Sequence, residues 1–133
     1  MRHTVLIVED EPEIAALIKN RLDPSRYAVT TLQNGDEAVQ RLRSFRYDLV
    51  TLDVMLPGAD GMTLCRMLRE LDPETLILMV TALGSDEEVE KGYGAGADDY
   101  IAKPFSPRTL AVKIDTLLKR RDELRKLPTK RPK

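Results

Sequence analysis

Residues 4–18, which read TVLIVEDEPEIAALI, decide the fold of this chain because they join two different hydrophobic patterns. Thr4 to Val8 is a short apolar, β-branched run of the kind that forms a buried strand. Three acidic residues follow it, and then Pro12, a favourable first residue of a helix. Apolar residues then recur at helical spacing, namely Ile14, Leu17, Ile18 and Leu22. The segment therefore predicts a buried strand, an acidic turn and an amphipathic helix.

The same alternation of strand and helix patterns continues along the chain. Further strands are predicted at Tyr27–Leu32, Leu49–Leu52, Leu76–Val80 and Asp99–Ala102. Helices are predicted after Asp36 as the expected cap, around Met62 to Leu68, at Asp86–Ala95, and from Ser106 and Pro107 through Leu118. Five strands alternating with five helices indicate right-handed βαβ units and an α/β fold with a parallel sheet covered on both faces.

Composition limits the chain to one domain and excludes several classes of function. Its 133 residues, 42% of them hydrophobic, suffice for a sizeable core, and its apolar runs are too short to cross a membrane. A single cysteine, Cys65, and a single histidine, His3, exclude a disulfide framework, a zinc cluster and a histidine-based nucleophilic site. The lone cysteine fits a reducing cytosol, so a cytoplasmic location is expected.

Charge is distributed unevenly along the chain. Residues 119–133 contain eight Lys or Arg and two Asp or Glu, so the remainder carries a net charge of −7. A domain this acidic is a poor binder of nucleic acid in its own right. The last helical pattern can continue through Leu124 and Leu127 and stops at Pro128, which indicates a basic linker or tail at the end.

Polar side chains follow four of the predicted strands at the point where each strand ends. Glu9–Glu11 follow the first strand, Asp53 ends the third, Thr81 closes the fourth, and Lys103 follows the fifth. Ligands of open parallel sheets bind at the carboxyl ends of the strands, so these groups are expected to converge, although each alone is more often a helix cap or a structural residue. Packed carboxylates need a counter-charge, and Mg²⁺ suits their hard oxygens. The residues thus indicate a Mg²⁺-dependent phosphoryl site with a carboxylate nucleophile available.

Four motifs carry a resemblance to a known family. They are VLIVEDE at 5–11, LVTLDVMLPGADGM at 49–62, LMVTA at 78–82 and GADDYIAKPF at 96–105. In this order and spacing they resemble the receiver domain of bacterial two-component response regulators over about residues 3–120, most closely the OmpR/PhoB subfamily. The resemblance implies a flavodoxin-like (CheY-like) doubly wound sheet of order 2-1-3-4-5 with five helices. It also implies a receiver domain at 1–120, with 121–133 as a basic linker or tail.

The resemblance assigns roles at the phosphorylation site. Asp53 matches the phosphoacceptor, which takes a phosphoryl group from a phosphohistidine of a sensor histidine kinase. Asp10 and Asp53 match direct Mg²⁺ ligands, with the backbone carbonyl of Met55 as a third, and Glu9 matches an acid that holds the metal through water. Lys103 matches the lysine that pairs with the phosphoryl oxygens. Such a domain is a signalling module that catalyses only its own phosphorylation and slow dephosphorylation, not an enzyme in the usual sense.

Three further residues match the parts that respond to phosphorylation. Thr81 matches the switch hydroxyl, and Tyr100 the aromatic residue that swings inward when the threonine moves; a plain core tyrosine is an equally good interpretation of Tyr100. Pro104 matches a proline whose preceding peptide is usually cis, which would fix where Lys103 points. Members of the subfamily usually form homodimers through helix four, strand five and helix five. Gly94 and Thr109 stand where the subfamily commonly has an acidic residue, and Asp115 stands where a basic residue is common, so some pairs across such a dimer would be missing or altered.

The lifetime of the phosphorylated state is also predicted. In receivers, the side chains two positions after the phosphoacceptor and after the threonine border the line of attack by water, and here they are Met55 and Leu83. Neither can orient a water molecule, so self-dephosphorylation is expected to be slow. Slow loss suits a transcriptional output through a C-terminal DNA-binding domain, which members of the subfamily usually carry.

Other functions remain alternatives at this point. A phosphatase of the haloacid-dehalogenase type would need a second aspartate where Met55 stands, and nucleotide hydrolysis would need a phosphate-binding loop that the sequence lacks. A receiver-like module that binds partners without phosphorylation is also open. So is a stand-alone receiver that acts by protein binding, with no effector domain after it.

Overall fold

The computed structural model describes residues 2–82 and 86–127. Within these ranges the chain forms the strands β1 His3–Val8, β2 Tyr27–Leu32, β3 Leu49–Asp53, β4 Leu76–Thr81 and β5 Asp99–Ala102. The helices are α1 Pro12–Asn20, α2 Gly35–Ser44, α3 Gly61–Leu71, α4 Asp86–Ala95 and α5 Pro107–Arg125. The predicted alternation of strands and helices is therefore confirmed.

The strands form one parallel sheet in the order β2-β1-β3-β4-β5, which confirms the predicted flavodoxin-like topology. β1 pairs with β2 on one side, where Val5 lies opposite Val29, and with β3 on the other, where Val5 lies opposite Leu49. The winding of the chain thus reverses between β1 and β3. The carboxyl ends of these two strands form the switch point at which sheets of this kind bind ligands.

Alternate side chains of β1 enter two separate hydrophobic layers. Val5 and Ile7 pack with α1 and α5 on one face of the sheet, whereas Leu6 and Val8 pack with α2 and α3 on the other. All four are at most 1% exposed, so both faces are covered, as parallel sheets require. Among the helices in the described part of the chain, none combines the length and the apolar character needed to cross a membrane.

Two details of the helices differ from the sequence prediction. The N-cap of α2 is Asn34, whose side chain accepts a hydrogen bond from the Glu37 N–H at 2.8 Å, so the expectation that Asp36 caps this helix is wrong. Asp36 already lies in the first turn, where its charge favours the helix dipole. Leu17 follows the helical spacing of the core residues but is 52% exposed on α1.

The last helix extends beyond residue 120. It runs without interruption to Arg125, and the side chain of Arg121 is only 12% exposed. The Arg121 guanidinium donates to the Asp48 carbonyl at 3.1 Å and to Asp48 Oδ1 at 2.8 Å, and His3 Nε2 lies 2.8 Å from Asp122 Oδ2. A boundary after residue 120 would divide a continuous helix that contacts the start of the sheet. The assignment of 121–133 to a linker or tail stays a prediction.

Replacing Arg121 with alanine is expected to lower the free energy of unfolding by about 2–3 kcal/mol, because the half-buried Asp48 carboxylate loses its cation. Burial is the largest single influence on the pKa of Asp48 and raises it, but hydrogen bonds from Thr4 and Arg121 together outweigh burial and hold this pKa below its usual value of 3.8. The stabilisation is therefore complete above pH 3.8 and declines as the pH falls below it.

Urea unfolding followed by circular dichroism at several pH values measures this effect. The control is Arg120→Ala, because Arg120 is the exposed neighbour on the same helix and should change stability by no more than about 0.5 kcal/mol. Equal stability of the two variants at pH 7 would contradict the prediction, and would favour a folded domain that ends near residue 120.

Candidate functional site

The carboxyl ends of four neighbouring strands bring the predicted site residues to one edge of the sheet. Asp53 is the last residue of β3 and pairs with Val80, and Thr81 is the last residue of β4 and pairs with Ala102. Both Asp53 and Thr81 are only 3% exposed. Parallel pairing therefore fixes the positions of the carboxylate and the hydroxyl through the backbone of the sheet.

Three acidic side chains gather at the switch point. Carboxylate oxygens of Glu9, Asp10 and Asp53 all lie within 4.8 Å of one another. Glu9 is 3% exposed, and its Oε2 accepts a hydrogen bond from the Glu11 N–H at 3.2 Å. Burial, reinforced by a hydrogen bond with Asp10, raises the pKa of Glu9 to about 7. The cluster concentrates negative charge in a place where water screens it poorly.

Lys103 supplies the positive charge of the cluster. Its Nζ lies 2.6 Å from Asp53 Oδ2 and 3.4 Å from Glu9 Oε1. Burial is the largest single influence on the pKa of Lys103 and lowers it, but the hydrogen bonds and charges of Asp53 and Glu9 together outweigh burial, so this pKa is raised. The ammonium group therefore stays charged and directly contacts the carboxylate that the sequence singles out as a nucleophile.

The backbone around Lys103 holds this side chain at the site. The peptide between Lys103 and Pro104 is cis, as the resemblance implies. The Lys103 N–H donates to the Thr81 carbonyl at 2.7 Å, which joins the chain after β5 to the end of β4. The lysine is thus anchored by the same strand that ends in the threonine.

Tyr100 lies on β5, further from the edge than Lys103. It pairs with Met79 of β4 and is half-buried against the hydrophobic layer that contains α3. Its ring centroid is 5.3 Å from that of Tyr93, which lies on α4 and is 47% exposed. The Tyr100 carbonyl accepts a hydrogen bond from Lys113 at 3.2 Å. Tyr100 therefore connects β5 with both of the helices that flank it.

The loop after Asp53 closes the outer side of the site. The Met55 N–H donates to Asp53 Oδ1 at 2.9 Å, and the Met55 side chain is 72% exposed. The Gly61 N–H donates a hydrogen bond to the Val54 carbonyl at 3.3 Å, which brings the end of the loop back to its start. A Cβ atom on Gly61 would lie 2.3 Å from the Asp53 carbonyl oxygen, so only glycine permits this close return of the chain beside the carboxylate.

The sequence matches the response regulator receiver domain family over residues 5–115. The chain belongs to this family. Receiver domains are signalling modules of two-component systems, and the arrangement of the acidic cluster, the threonine and the lysine at the carboxyl edge of a parallel sheet agrees with that membership.

The relatives of this receiver domain are transcriptional regulators. ResD of Bacillus subtilis (strain 168), a transcriptional regulatory protein, is 43% identical over 116 residues, which cover 87% of this chain and 48% of ResD. PhoP of the same organism, the alkaline phosphatase synthesis transcriptional regulatory protein, is 42% identical over 122 residues, which cover 90% of this chain and 50% of PhoP. The receiver domain thus spans about half the length of the curated relatives that it matches.

Solved structures agree with the OmpR/PhoB resemblance. The response regulator DrrB, an OmpR/PhoB homologue of Thermotoga maritima, has a TM-score of 0.84 at 36% identity, and the match covers 90% of this chain and 54% of DrrB. The BeF3-activated receiver domain of DrrB has a TM-score of 0.81 at 35% identity, covering 90% of this chain and 99% of that one. The identification of an OmpR/PhoB-like receiver domain from the sequence is therefore confirmed.

The acidic cluster fits the magnesium ion that receiver domains use at their acidic pocket. Glu9, Asp10 and Asp53 offer hard oxygen ligands within one small volume. Among the residues that the structure describes, Lys103 is the cation that pairs with Glu9 and Asp53, and one ammonium group leaves an excess of negative charge on three carboxylates. A divalent cation would neutralise that excess, which supports the expectation of Mg²⁺ from the donor atoms themselves.

The sequence prediction missed one neighbour of the site. The turn between β2 and α2 contacts the loop after Asp53, because the Gly35 N–H donates to the Pro57 carbonyl at 2.9 Å. The sequence offers one sign of this contact, the glycines of Asn34-Gly35 and Pro57-Gly58. Each glycine considered by itself, however, indicates only a turn and not a contact between the two turns.

Proposed function

We propose that this receiver domain accepts a phosphoryl group onto Asp53 from a phosphohistidine of a sensor histidine kinase. An Asp53 carboxylate oxygen attacks phosphorus, the P–N bond breaks, and the imidazole leaves with its electron pair and takes a proton. The observation that carries this proposal is the buried Asp53 carboxylate, which belongs to the acidic cluster and has the Lys103 ammonium group 2.6 Å away. Buried, oriented carboxylates beside a fixed cation suit phosphoryl transfer, which depends on positioning and charge stabilisation.

The metal ligands in this proposal are Asp10, Asp53 and the Met55 backbone carbonyl, with Glu9 binding through water. When bound, Mg²⁺ would neutralise charge on the phosphoryl oxygens. Lys103 and the Thr81 hydroxyl would bind the remaining phosphoryl oxygens, and Pro104 would keep Lys103 directed at them. Support comes from the compact set of oxygen donors and from the hydrogen bond between Lys103 and Thr81 backbones.

The output proposed for phosphorylation is a change at the face formed by α4, β5 and α5. Thr81 would turn toward the phosphoryl group and Tyr100 would move inward, altering a surface through which two copies pair. A DNA-binding domain beyond this chain would then respond. Support comes from the position of Tyr100 between Tyr93 and Lys113, which belong to the two helices of this face.

Two sets of polar contacts within one chain involve charges that could otherwise pair across that dimer. Lys113 already pairs with Asp99 of its own chain at 3.2 Å. Asp115 accepts hydrogen bonds from Tyr27 at 2.5 Å and from Arg26 at 2.7 Å, so its carboxylate serves the contact between α5 and β2. The acid at position 115 is therefore explained by packing within one chain. A pairing of two copies would therefore either compete with these contacts or use other charges of this face.

A groove beside the phosphorylation site is the proposed docking surface for the kinase. It has a volume of about 480 Å³ and lies between α1 and the chain after β5. Its lining residues include Ile14, Leu17, Ala82, Pro104 and Phe105. The Leu17 side chain is half exposed there, and an apolar surface of the kinase would cover it.

The compartment in which the receiver acts follows from the proposed phosphoryl donor. Since sensor kinases present their phosphohistidine in the cytoplasm, the receiver is proposed to act in that compartment.

Phosphorylation by a small donor tests the proposed function. The protein is incubated with phosphoramidate and Mg²⁺, and its intact mass is then measured. The expected result is one added phosphoryl group, formed only when Mg²⁺ is present and located on Asp53 by peptide mapping. An unchanged mass would favour a receiver-like module that binds partners without phosphorylation. Steady turnover of an unrelated phosphoester would favour a phosphatase.

The phosphorylated domain is expected to lose its phosphoryl group slowly, over minutes or longer. The exposed thioether of Met55 cannot orient a water molecule toward the acyl phosphate, and Leu83, the second residue of this prediction, lies outside the described residues. The measurement is the decay of the phosphorylated mass after removal of the donor. Met55→Asn should accelerate this decay, because an amide can position water. A half-life of seconds in the unaltered protein would contradict the prediction.

A further inference from the structure

The turn between β2 and α2 is joined to the loop after the phosphoacceptor by two hydrogen bonds. The Gly35 N–H donates to the Pro57 carbonyl at 2.9 Å. In the opposite direction, the Ala59 N–H donates to Asp36 Oδ1 at 3.3 Å. The two segments come from different βα units, so this contact links a part of the molecule outside the acidic cluster to the loop that begins at Asp53.

Two glycines make the approach of these segments possible. A Cβ atom on Gly35 would lie 1.6 Å from the Ala59 carbonyl oxygen, a distance at which the backbone itself would have to move. Gly58 has a φ of +77°, and a Cβ atom there would lie 2.7 Å from Asp36 Oδ2. Each glycine thus gives space to the other segment, and only Gly58 also needs the left-handed backbone conformation.

The helix side of this contact is fixed. Asn34 caps α2 by accepting a hydrogen bond from the Glu37 N–H at 2.8 Å, and its amide donates back to Glu37 Oε1 at 2.9 Å. Ala38 and Leu42 of the same helix are buried in the core. A reciprocal cap of this kind, combined with core packing, holds the first turn of the helix in place. The loop therefore docks onto a rigid element.

The loop itself is held at both of its ends. At the base, the Val54 N–H donates to the Val80 carbonyl at 2.9 Å, and the Gly61 N–H donates to the Val54 carbonyl at 3.3 Å. At the tip, residues 57–59 contact the turn of α2. Met55 lies between these two attachments, so the attachment at the tip restricts the path of its backbone.

We propose that Gly35 and Asp36 are positioning residues for the metal site. They hold the loop 54–60 in the path that lets the Met55 backbone carbonyl serve as a ligand, although neither residue belongs to the acidic cluster. This inference rests on the proposed function, because it concerns the same magnesium ion. By reciprocity, magnesium binding must stabilise the contact between the loop and the α2 turn.

The test is the Mg²⁺ affinity of the unphosphorylated protein, measured by calorimetry, in the unaltered chain and in Gly35→Ala. The variant is expected to bind Mg²⁺ about tenfold or more weakly, the loss typical when a support of a ligand is removed. The matched control is Gly94→Ala, because a Cβ atom on Gly94 meets nothing within 4 Å. Phosphorylation by phosphoramidate should need more Mg²⁺ in Gly35→Ala but reach a similar rate at saturation.

Two further variants separate positioning from folding. Asp36→Ala removes the acceptor of the Ala59 N–H and should weaken Mg²⁺ binding, whereas Asp36→Asn keeps an oxygen acceptor and should restore it. Amide hydrogen exchange provides a readout without catalysis, since Mg²⁺ should slow exchange at Gly35 and Ala59. Unfolding measured without Mg²⁺ shows how much of any change is general destabilisation.

The outcomes distinguish this inference from the proposed function. If the unaltered protein binds no Mg²⁺, the proposed function fails. If it binds Mg²⁺ and Gly35→Ala binds equally well, the positioning role is overturned. Should Gly35→Ala not fold, the Asp36 pair decides: equal affinity of Asp36→Ala and the unaltered chain overturns the inference, and a loss that Asp36→Asn restores supports it.

Discussion

Replacing Asp53 with asparagine is expected to abolish phosphorylation of this domain completely. The amide has nearly the same shape as the carboxylate but cannot act as the nucleophile that forms an acyl phosphate. Its oxygen can still accept the hydrogen bond that the Met55 N–H makes to Asp53 at 2.9 Å, so the loop should keep its conformation. The intact mass after incubation with phosphoramidate and Mg²⁺ is the measurement.

The control for this experiment is Asp60→Asn in the same loop. Asp60 caps α3 by accepting a hydrogen bond from the Thr63 N–H at 2.8 Å, and asparagine caps helices about as well as aspartate. This variant removes the same charge from the same loop and should gain a phosphoryl group like the unaltered protein. Phosphorylation of Asp53→Asn at an unchanged rate would place the phosphoacceptor elsewhere and contradict the proposed function.

The fold could be predicted from the sequence for two reasons. Each strand or helix pattern is visible in a short stretch of residues, and all of these stretches together indicate the same alternating α/β architecture. Thr4 to Val8 has the apolar, β-branched pattern of a strand buried on both faces, and an acidic turn followed by Pro12 is a typical start of a helix. Once strands and helices alternate, the helical crossovers make neighbouring strands parallel, so the carboxyl ends of the strands lie at one edge of the sheet. The convergence of Asp53 and Lys103 follows from that rule, and the structure places them 2.6 Å apart.

Other features depend on contacts between distant segments, which periodicity does not encode. Arg121 resembles one more charge of a basic tail, but its guanidinium reaches Asp48, 73 positions away in the sequence. Gly35 resembles an ordinary turn residue, and only the position of Ala59 shows why a side chain cannot fit there. Leu17 matches the core spacing of α1, yet it lines a groove beside Lys103 and Pro104. In each case the tertiary structure determines which distant segment the residue contacts.

Replacing Lys103 with methionine is expected to slow phosphorylation by phosphoramidate about 100-fold or more, the usual cost of removing one stabilising group from a transferring site. Methionine keeps an unbranched side chain of similar length, so the change removes mainly the ammonium group that lies 2.6 Å from Asp53 and 3.4 Å from Glu9. The rate of mass increase at saturating Mg²⁺ measures the loss. Lys119→Met is the matched control, because Lys119 is 64% exposed and pairs with Asp115 on α5.

The same substitution should change Mg²⁺ affinity in the opposite direction. Lys103 competes with a metal ion for the negative charge of Glu9 and Asp53. Its removal therefore leaves these two buried carboxylates without their counter-charge. Calorimetry should therefore show tighter Mg²⁺ binding in Lys103→Met than in the unaltered protein, although phosphorylation is slower. A structural defect would weaken both properties together. Loss of Mg²⁺ affinity in parallel with the rate would mean that Lys103 only supports the fold, and its assignment to the phosphoryl oxygens would be wrong.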